Sequence, residues 1–590
     1  MPSCIAESGG FMSPHEWTKV ITHPYQPNKN TESTHGHLQP TPVTIPPFST
    51  SAVPFWWMLN EHQAELDESL PEPLPPDDKA PFKSSWVFGR ERQEALSELF
   101  FRRVQDNRSL VFFYCKEGTP LGDRFPRLVV AVGTVVKVGP LLHYDSSKST
   151  TYPMWDRIVR HSIRPDGHEG FLLPYHEYLE PTGDPEEDAR RLSLLEEIAV
   201  EVPPDHLGAF SYVSELAGHG AALSTLVRCL EAVRKIREHG IASGPWERRE
   251  EWLNQQIAAE WKNRGAFPGL GSALEALGMR LGTALMHELA SNGDIQVDDN
   301  PWHLVDEILR GNTGPPQAAY QADLNAIRRT WDGLSNERRQ LLELLSRFEL
   351  RPSQAKRWFD RDARLKATGV QIDDAEILAN PYRISESDVG SDDDPAVSVG
   401  TIDMGLLPDT TISARHPVPP LSAVGSQLDA RRVRAALVAV LRAAANTGDS
   451  LLSAAEAIER LQSLDLAHPC NPGTDWLEAN ASDLAGVIEL LRLPVDTKSE
   501  KTILALQLTE LKKREERLEK VLRARAGRSL KSLSVDWKPS IIDAIRDSGG
   551  HYDENNPRHV SALEEQNVAL ENITTRKISV LVGRAGTGKT

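Results

Sequence analysis

Hydrophobic residues recur along the chain with two different periods. In residues 90–105, 186–202, 220–240 and 245–261 they fall at i, i+3 and i+4, which predicts helices. Ser109–Tyr114 and Arg127–Val138 are instead runs rich in Val and Phe, which predicts strands. The sequence therefore predicts an α+β protein of several domains, in which a small mixed β domain precedes a mainly α-helical region.

Changes in composition divide the chain into segments. Residues 1–80 are rich in Pro, Thr and Ser and predict a flexible arm and linker. The segments that follow are a mixed α/β domain at 81–180, a helical domain at 183–335, a helix-hairpin-helix-like unit at 336–384, a loop-rich linker at 385–428, a helical region at 429–535 with a long charged helix at 499–527, and the start of a nucleotide-binding domain at 555–590.

The strongest chemical signal is the octapeptide GRAGTGKT at 583–590. It matches the phosphate-binding loop G-x-x-x-x-G-K-[ST], and the apolar run Lys577–Val582 before it predicts the buried strand that feeds such a loop. In this motif backbone N–H groups hold phosphate oxygens, the lysine reaches the β- and γ-phosphates, and the final hydroxyl ligates Mg²⁺. The pattern predicts ATP and Mg²⁺ as cofactors, bound by Gly583, Ala585, Gly586, Thr587, Gly588, Lys589 and Thr590.

The helix that usually follows such a loop is not in the sequence. Because the N-terminal amides and dipole of that helix complete the anion site, we expect the 590 residues alone to bind ATP weakly. We also expect them not to hydrolyse it, since no later carboxylate is present to hold the metal or orient a water. The expectation is that an active enzyme is longer.

Composition narrows the class of protein. The net charge of −18 is unlike that of a protein that coats nucleic acid, which would be basic, yet it is compatible with a local DNA-binding groove. The four cysteines form no C-x-x-C pair, so we expect neither a zinc site nor a disulfide framework. No apolar run approaches the roughly 18–20 residues of a membrane span, and the N-terminus lacks a signal-peptide pattern. These features predict a cytoplasmic protein without a membrane partner.

Two segments have features of DNA-binding helical hairpins. Phe267–Leu277 opens a helix with a Gly-apolar-Gly turn, in which glycine amides would approach a DNA phosphate. A plain helix-joining turn explains this pattern equally well. The unit at 336–384 lacks such glycines, so its candidate phosphate contacts are basic side chains. The DNA-binding candidates are therefore Gly269, Gly271, Arg351, Lys356 and Arg357.

The strands of residues 81–180, with FLLPYHEYLE after them, resemble small β-barrels of the PUA/EVE type, which read modified bases. An ordinary structural β domain accounts for the same pattern. If a base pocket exists here, its candidate residues are Tyr114, Trp155 and His161.

Residues 330–590 resemble the N-terminal half of RecD-like helicases of superfamily 1. The resemblance rests on the helical hairpin, ILANPYRI at 377–384, DARRVRAALVAVL at 429–441, LEEQNVAL at 563–570 and the phosphate-binding loop. It implies an ATP-dependent DNA helicase that moves 5′ to 3′ on single-stranded DNA. It also implies that Gln566, 23 residues before Lys589, recognises adenine. Residues 388–409 depart from the family pattern, and residues 1–330 lie outside it, which implies an added N-terminal module.

Two other functions fit the same sequence. The first alternative is a P-loop ATPase that acts as a nucleic-acid or partner sensor without processive unwinding. Alternatively, the 590 residues act only as a DNA- or partner-binding module. Sequence downstream of the loop would separate the helicase from the sensor.

Overall fold

A computed structural model of the chain describes residues 11–21, 41–54, 56–78, 85–115, 121, 127–144, 152–178, 181–202, 218–296, 299–391, 394–494, 501–528, 530, 535–575 and 577–582. The chain divides into two compact units. The first comprises residues 1–439 with 461–471, and the second comprises residues 440–460 with 472–590.

The first unit begins with antiparallel strands. They are β1 Trp17–Ile21, β2 Thr41–Ile45, β3 Ser49–Ala52, β4 Leu110–Cys115, β5 Leu128–Tyr144, β6 Tyr152–His161 and β7 Phe171–Leu172. β1 pairs with β2, and the larger sheet has the order β3-β6-β5-β4, with β7 also paired to β5. β5 is 17 residues long; its first half pairs with β4 and β7 and its second half with β6. Two helices, α1 Gln63–Glu68 and α2 Arg90–Phe101, accompany this sheet, and α2 lies against β6.

The flexible arm predicted for residues 1–80 is wrong at residues 17–21, 41–45 and 49–52, which form strands. β2 alternates buried and exposed positions, and Val43 and Ile45 are buried. β3 pairs in register with β6, so it is part of the larger sheet. Thr and Val at alternate positions form a strand with one buried face as readily as they form an extended linker, which is why composition alone misassigned this segment.

The helical part of the first unit follows the predicted pattern at 183–335. Its first helices are α3 Pro185–Glu197, α4 His219–His239, α5 Trp246–Arg264, α6 Leu270–Leu277, α7 Gly282–Asn292, α8 Pro301–Arg310 and α9 Gln321–Gly333. Asp184 and Asn300 begin α3 and α8 with a side chain that accepts a backbone N–H, and a proline occupies the first turn of each helix. Both features are strong helix-start signals.

Four short helices occupy the hairpin-like unit predicted at 336–384. They are α10 Asn336–Ser346, α11 Pro352–Phe359, α12 Arg361–Thr368 and α13 Asp374–Ala379. Ser335 caps α10 and Asp360 caps α12 through side-chain oxygens. Leu341, Phe348 and Trp358 are fully buried in a shared hydrophobic cluster, so these helices form one packed core and not a simple pair.

The loop-rich linker predicted at 385–428 is also wrong. This stretch contains the end of α14 Arg383–Ser387, all of α15 Val399–Leu406 and all of α16 Thr410–Arg415, and it is followed by α17 Ala430–Asn446. Ile402 and Asp403 on α15 are completely buried. The acidic and proline-rich flanks concealed the short apolar helix α15, whose Ser398 cap is its clearest local signal.

The second unit is mixed, although residues 429–535 were predicted to be helical. It contains a three-stranded antiparallel sheet of order β8-β10-β9, in which the strands are β8 Leu451–Ser453, β9 Ile488–Pro494 and β10 Thr502–Leu508. Its helices are α18 Ala454–Leu461, α19 Thr474–Ala479, α20 Ala481–Leu484, α21 Thr509–Ala526, α22 Lys538–Asp547 and α23 Pro557–Thr574. The predicted charged helix is therefore shorter than 499–527, because its first apolar residues pair as β10.

The strand predicted at Lys577–Val582 is absent from the structure. These residues have no regular secondary structure, and Val580 and Val582 are 82% and 87% exposed. A buried strand requires a hydrogen-bonded neighbour, and no strand pairs with this segment within the described residues.

Candidate functional site

The predicted ATP site lies mostly outside the described residues. Gly583–Thr590 cannot be described, so the contacts assigned to the loop remain predictions. Gln566 is described and lies half-buried in the middle of α23. Its role in adenine recognition likewise remains a prediction.

The glycine turn at the start of α6 faces protein. A Cβ at Gly269 would lie 1.9 Å from the Phe348 carbonyl oxygen, and one at Gly271 would lie 2.6 Å from Thr283 Cα. The Gly269 N–H already donates to the Ser346 carbonyl at 2.9 Å. Both glycines are buried, so they allow close packing between helices. This geometry favours the helix-joining turn over the phosphate-binding turn.

The basic candidates of the second hairpin separate into two kinds. Arg357 is bound by the carboxylate of Asp388 through Nε at 2.9 Å and Nη2 at 2.7 Å, and it also contacts Asp394. Its charge is therefore used within the protein, contrary to the predicted phosphate contact. Arg351 and Lys356 are exposed on and beside α11 and remain candidates.

The structure brings the two hairpin-like segments together. α6 packs on α11, and the Ser272 hydroxyl donates to the Leu350 carbonyl at 2.7 Å. Because Ser272 is buried, this bond fixes the turn that leads into α11. Arg351 and Lys356 thus lie at the start of and on a helix, α11, that is firmly packed against α6.

The residues that carry the family resemblance form two buried networks. The Asp403 carboxylate accepts a hydrogen bond from the Tyr382 hydroxyl at 2.6 Å. It also accepts hydrogen bonds from Nε and Nη2 of Arg432. Burial and then the neighbouring Asp403 carboxylate hold the pKa of Tyr382 well above its ordinary value. Tyr382, Asp403 and Arg432 therefore have a structural role, since their buried bonds hold the helices together.

The second network joins the arginine that ends the NPYR motif to α17. Glu386 accepts Arg383 Nη1 at 3.2 Å and Arg434 Nε at 2.7 Å, and its side chain is fully buried. Arg434 is half-buried. Its ion pair with Glu386 therefore uses the arginine's charge within the helical region.

Two of the three base-pocket candidates in the large sheet have described side chains. The Trp155 side chain is outside the described residues. Tyr114 is half-buried; burial raises the pKa of its hydroxyl, and Arg127 opposes the shift. His161 is completely buried at the end of β6 and packs instead with two phenylalanines, which the sequence did not single out.

Those phenylalanines and His161 form a three-ring cluster. The rings of Phe11 and Phe113 are parallel with centroids 4.0 Å apart, and His161 meets them edge-on at 5.6 and 5.3 Å. We call the position that the Phe11 ring fills, on the face of Phe113 and beside His161, the aromatic slot. Phe113 lies at a register shift between β4 and β5, and His161 pairs with Val135 at another between β5 and β6. Such bulges re-aim side chains and are frequent beside functional sites.

The imidazole of His161 has one satisfied and one unsatisfied nitrogen. Nδ1 accepts the Ile163 N–H at 3.3 Å, which assigns the ring proton to Nε2. Nε2 is buried without a hydrogen-bond partner. Burial and then Arg164 lower the pKa of His161 to about 3, while the Phe11 backbone acts in the opposite direction. The slot therefore contains a neutral N–H donor with no good acceptor.

Phe48 connects the slot to a positively charged edge. It is a non-glycine residue with φ of 51°, its N–H donates to Ser13, and its carbonyl accepts the His161 N–H. The Arg164 guanidinium lies 3.6 Å from the Phe48 ring centroid. Burial and then Arg160 lower the pKa of Arg164, so two cations stand close together here.

A second concave region lies along α4 in the first unit. It is a cleft of about 450 Å³ lined by α4, Trp261 and residues 461–471, a volume within the range of small-molecule sites. Arg228 in its wall is bound to Asp465, and Lys235 donates to the Glu197 carbonyl. Arg228 and Asp465 thus neutralise each other, and nothing in the described lining indicates one class of ligand.

A smaller cavity adjoins the N-terminus of α4. It has about 20 Å³, near the room needed by one water, and is lined by Arg264, Glu349 and Ser224 among others. Glu349 accepts the His219 and Gly220 N–H groups at 2.9 and 2.8 Å. Burial acts to raise the pKa of Glu349, but His219, Arg264 and the two amides lower it below its ordinary value. The cluster caps a helix, and we assign it a structural role.

Other kinds of site find no support in the described part of the chain. Its His, Cys, Asp and Glu side chains are not grouped as a metal site requires, and none of its helices has the length and apolarity needed to span a bilayer. Comparison with known proteins gives no identification: no family model, no curated protein and no solved structure matches the chain.

Proposed function

We propose that the chain is part of an ATP-dependent DNA helicase or translocase. The observation that carries the proposal is the phosphate-binding signature at 583–590, preceded by the helix α23 with Gln566 at its centre. A P-loop of this form binds the phosphates of ATP and its Mg²⁺. In the RecD-like enzymes that the chain resembles, phosphoryl transfer drives two motor lobes past one another on single-stranded DNA.

The helical region supports the proposal through its packing. Tyr382, Asp403 and Arg432 tie the NPYR segment to α15 and α17 by buried, charge-assisted bonds. A rigid helical platform of this kind would transmit force from a motor to DNA held on its surface. Arg351 and Lys356 are the exposed cations that we assign to phosphate contact.

In this function each residue has a defined task. Lys589 neutralises the β- and γ-phosphates and Thr590 ligates Mg²⁺. Gln566 reads the adenine edge. The direction of movement, 5′ to 3′, follows from the family resemblance and belongs to the same proposal.

The test is an ATPase assay on the natural protein that carries this chain, with and without single-stranded DNA. Lys589→Ala should abolish hydrolysis, because the phosphates lose their main cation. Lys577→Ala is the matched control, since Lys577 is exposed and precedes the loop. We expect the wild type and the control to be stimulated by single-stranded DNA. Hydrolysis that DNA does not stimulate would contradict the motor and favour a sensor or switch.

A further inference from the structure

We propose that the aromatic slot of the large sheet binds one flat base of single-stranded DNA, and that Phe11 occupies this site in the free chain. The choice of DNA as the polymer rests on the proposed function. The existence of the slot rests on the geometry of the Phe11, Phe113 and His161 rings.

The occupant has the shape of the ligand that we assign. Phe11 presents a planar ring, parallel to Phe113 at 4.0 Å, which is the geometry of a base stacked on an aromatic side chain. Its backbone also lies near enough to His161 to influence the pKa of the imidazole. A nucleobase combines the same two features, a flat ring and a hydrogen-bond acceptor at its edge.

His161 supplies the polar contact that Phe11 leaves incomplete. Its Nε2–H is a buried donor without a bonding partner, and a buried donor of this kind costs stability until an acceptor reaches it. Because the low pKa keeps the ring neutral, the donor is available at physiological pH. A base carbonyl or ring nitrogen is an acceptor that fits this donor.

The backbone around the slot has features that core packing alone does not require. Register shifts occur beside both Phe113 and His161. Phe48, which bonds both Ser13 and His161, is held at a left-handed φ of 51°. Bulges and strained non-glycine residues concentrate at binding sites, where they fix side chains in unusual positions.

The edge of the slot suits a phosphate. Arg160 is exposed and Arg164 half-buried, and neither has a carboxylate partner within the described residues. Arg164 bonds the His161 and Ile163 carbonyls through Nη1, which fixes it beside the slot. A nucleotide whose base stacks on Phe113 would have its negative backbone next to these cations.

The experiment measures binding of fluorescein-labelled (dT)12 to the chain without nucleotide. Phe11→Ala should empty the slot and raise affinity about fivefold or more, as expected for one stacked base. Phe11→Ala combined with Phe113→Ala should lose that gain. Phe100→Leu is the control, because Phe100 is buried in the same hydrophobic cluster while its ring packs on Trp57 and Phe101. An unchanged affinity in folded Phe11→Ala, or a gain that survives in the double variant, would overturn the proposal.

Hydrogen exchange on the wild-type chain covers the case in which a variant fails to fold. Adding (dT)12 should increase exchange at residues 11–13 and decrease it at residues 161–164. No change at either segment would also overturn the proposal. Both assays omit ATP and give the same result with Lys589→Ala, so their failure is distinct from a failure of the motor function.

Discussion

Arg432 and Asp403 form a completely buried two-point ion pair. Arg432 Nε lies 2.7 Å from Asp403 Oδ1 and Nη2 lies 2.9 Å from Oδ2, and both side chains are 0% exposed. The carboxylate also accepts the Ala467 N–H at 2.9 Å, and the guanidinium also donates to the Gln427 carbonyl. Every charge in the pair is therefore matched, which is the condition under which a buried ion pair is tolerated.

Breaking this pair should be costly. Asp403→Asn leaves the Arg432 charge buried without its counter-ion, and we expect the free energy of unfolding to fall by about 3–5 kcal/mol. Urea denaturation followed by tryptophan fluorescence measures the change. Glu94→Gln is the control, because it breaks the exposed Arg90–Glu94 pair, which should contribute less than about 1 kcal/mol. Equal losses in the two variants would contradict a special role for the buried pair.

The Gly269 position gives a second prediction. Gly269→Ala places a Cβ against the Phe348 backbone, which cannot move away by a rotamer change, and we expect a loss of about 1–3 kcal/mol or failure to fold. Gly333→Ala is the matched control, since a Cβ there meets nothing within 4 Å, and it should be neutral or stabilising by up to about 1 kcal/mol. Thermal melting compares the two. A stable Gly269→Ala variant with weakened DNA binding would instead favour the interpretation of this turn as a phosphate-binding turn.

Helical periodicity predicted the elements that bury a single apolar face. α4 and α5 overlap the helices predicted at 220–240 and 245–261, and the strand predicted at Ser109–Tyr114 appears as β4. The secondary-structure prediction failed in the two segments that were assigned from their composition and not from their hydrophobic pattern. The acidic surroundings of α15 concealed a helix that includes the buried Asp403, and Thr-rich β2 was taken for an arm.

The candidate sites depended on long-range contacts that spacing does not encode. Arg357 and Arg434 have the residue type of a phosphate contact, but their partners Asp388 and Glu386 lie 31 and 48 residues away along the chain. His161 is one of the three candidates that the sequence offers for a base pocket. Its neighbour Phe11 lies in a segment without periodicity, and only the folded sheet brings the two rings together.

The buried imidazole makes stability depend on pH. The pKa of His161 is lowered to about 3, below its ordinary value near 6.5, so the unfolded chain binds a proton that the folded chain does not. Its contribution to stability is complete above about pH 6.5 and is lost as the pH falls toward 3. Between pH 7 and pH 5 the loss should be about 2 kcal/mol.

His161→Asn tests this dependence, because the Asn oxygen can still accept the Ile163 N–H. We expect the difference in unfolding free energy between pH 7 and pH 5 to shrink by about 2 kcal/mol relative to the wild type. Urea titrations at the two pH values measure it, with the exposed His551→Asn as control. An unchanged difference in His161→Asn would show that the imidazole titrates normally in the fold.

The exposed cations of the second hairpin give the last prediction. Arg351→Ala with Lys356→Ala should weaken DNA binding to the same extent for all sequences, because phosphate contacts carry no base information. The slope of log affinity against log salt should become shallower by about 1–2, one counter-ion for each lost contact. Fluorescence anisotropy over a salt series measures both quantities. Arg248→Ala with Arg329→Ala is the control, since both arginines are equally exposed but lie on α5 and α9. The same loss of affinity in both double variants would mean that DNA binding depends only on the net charge of the protein and not on this surface of α11.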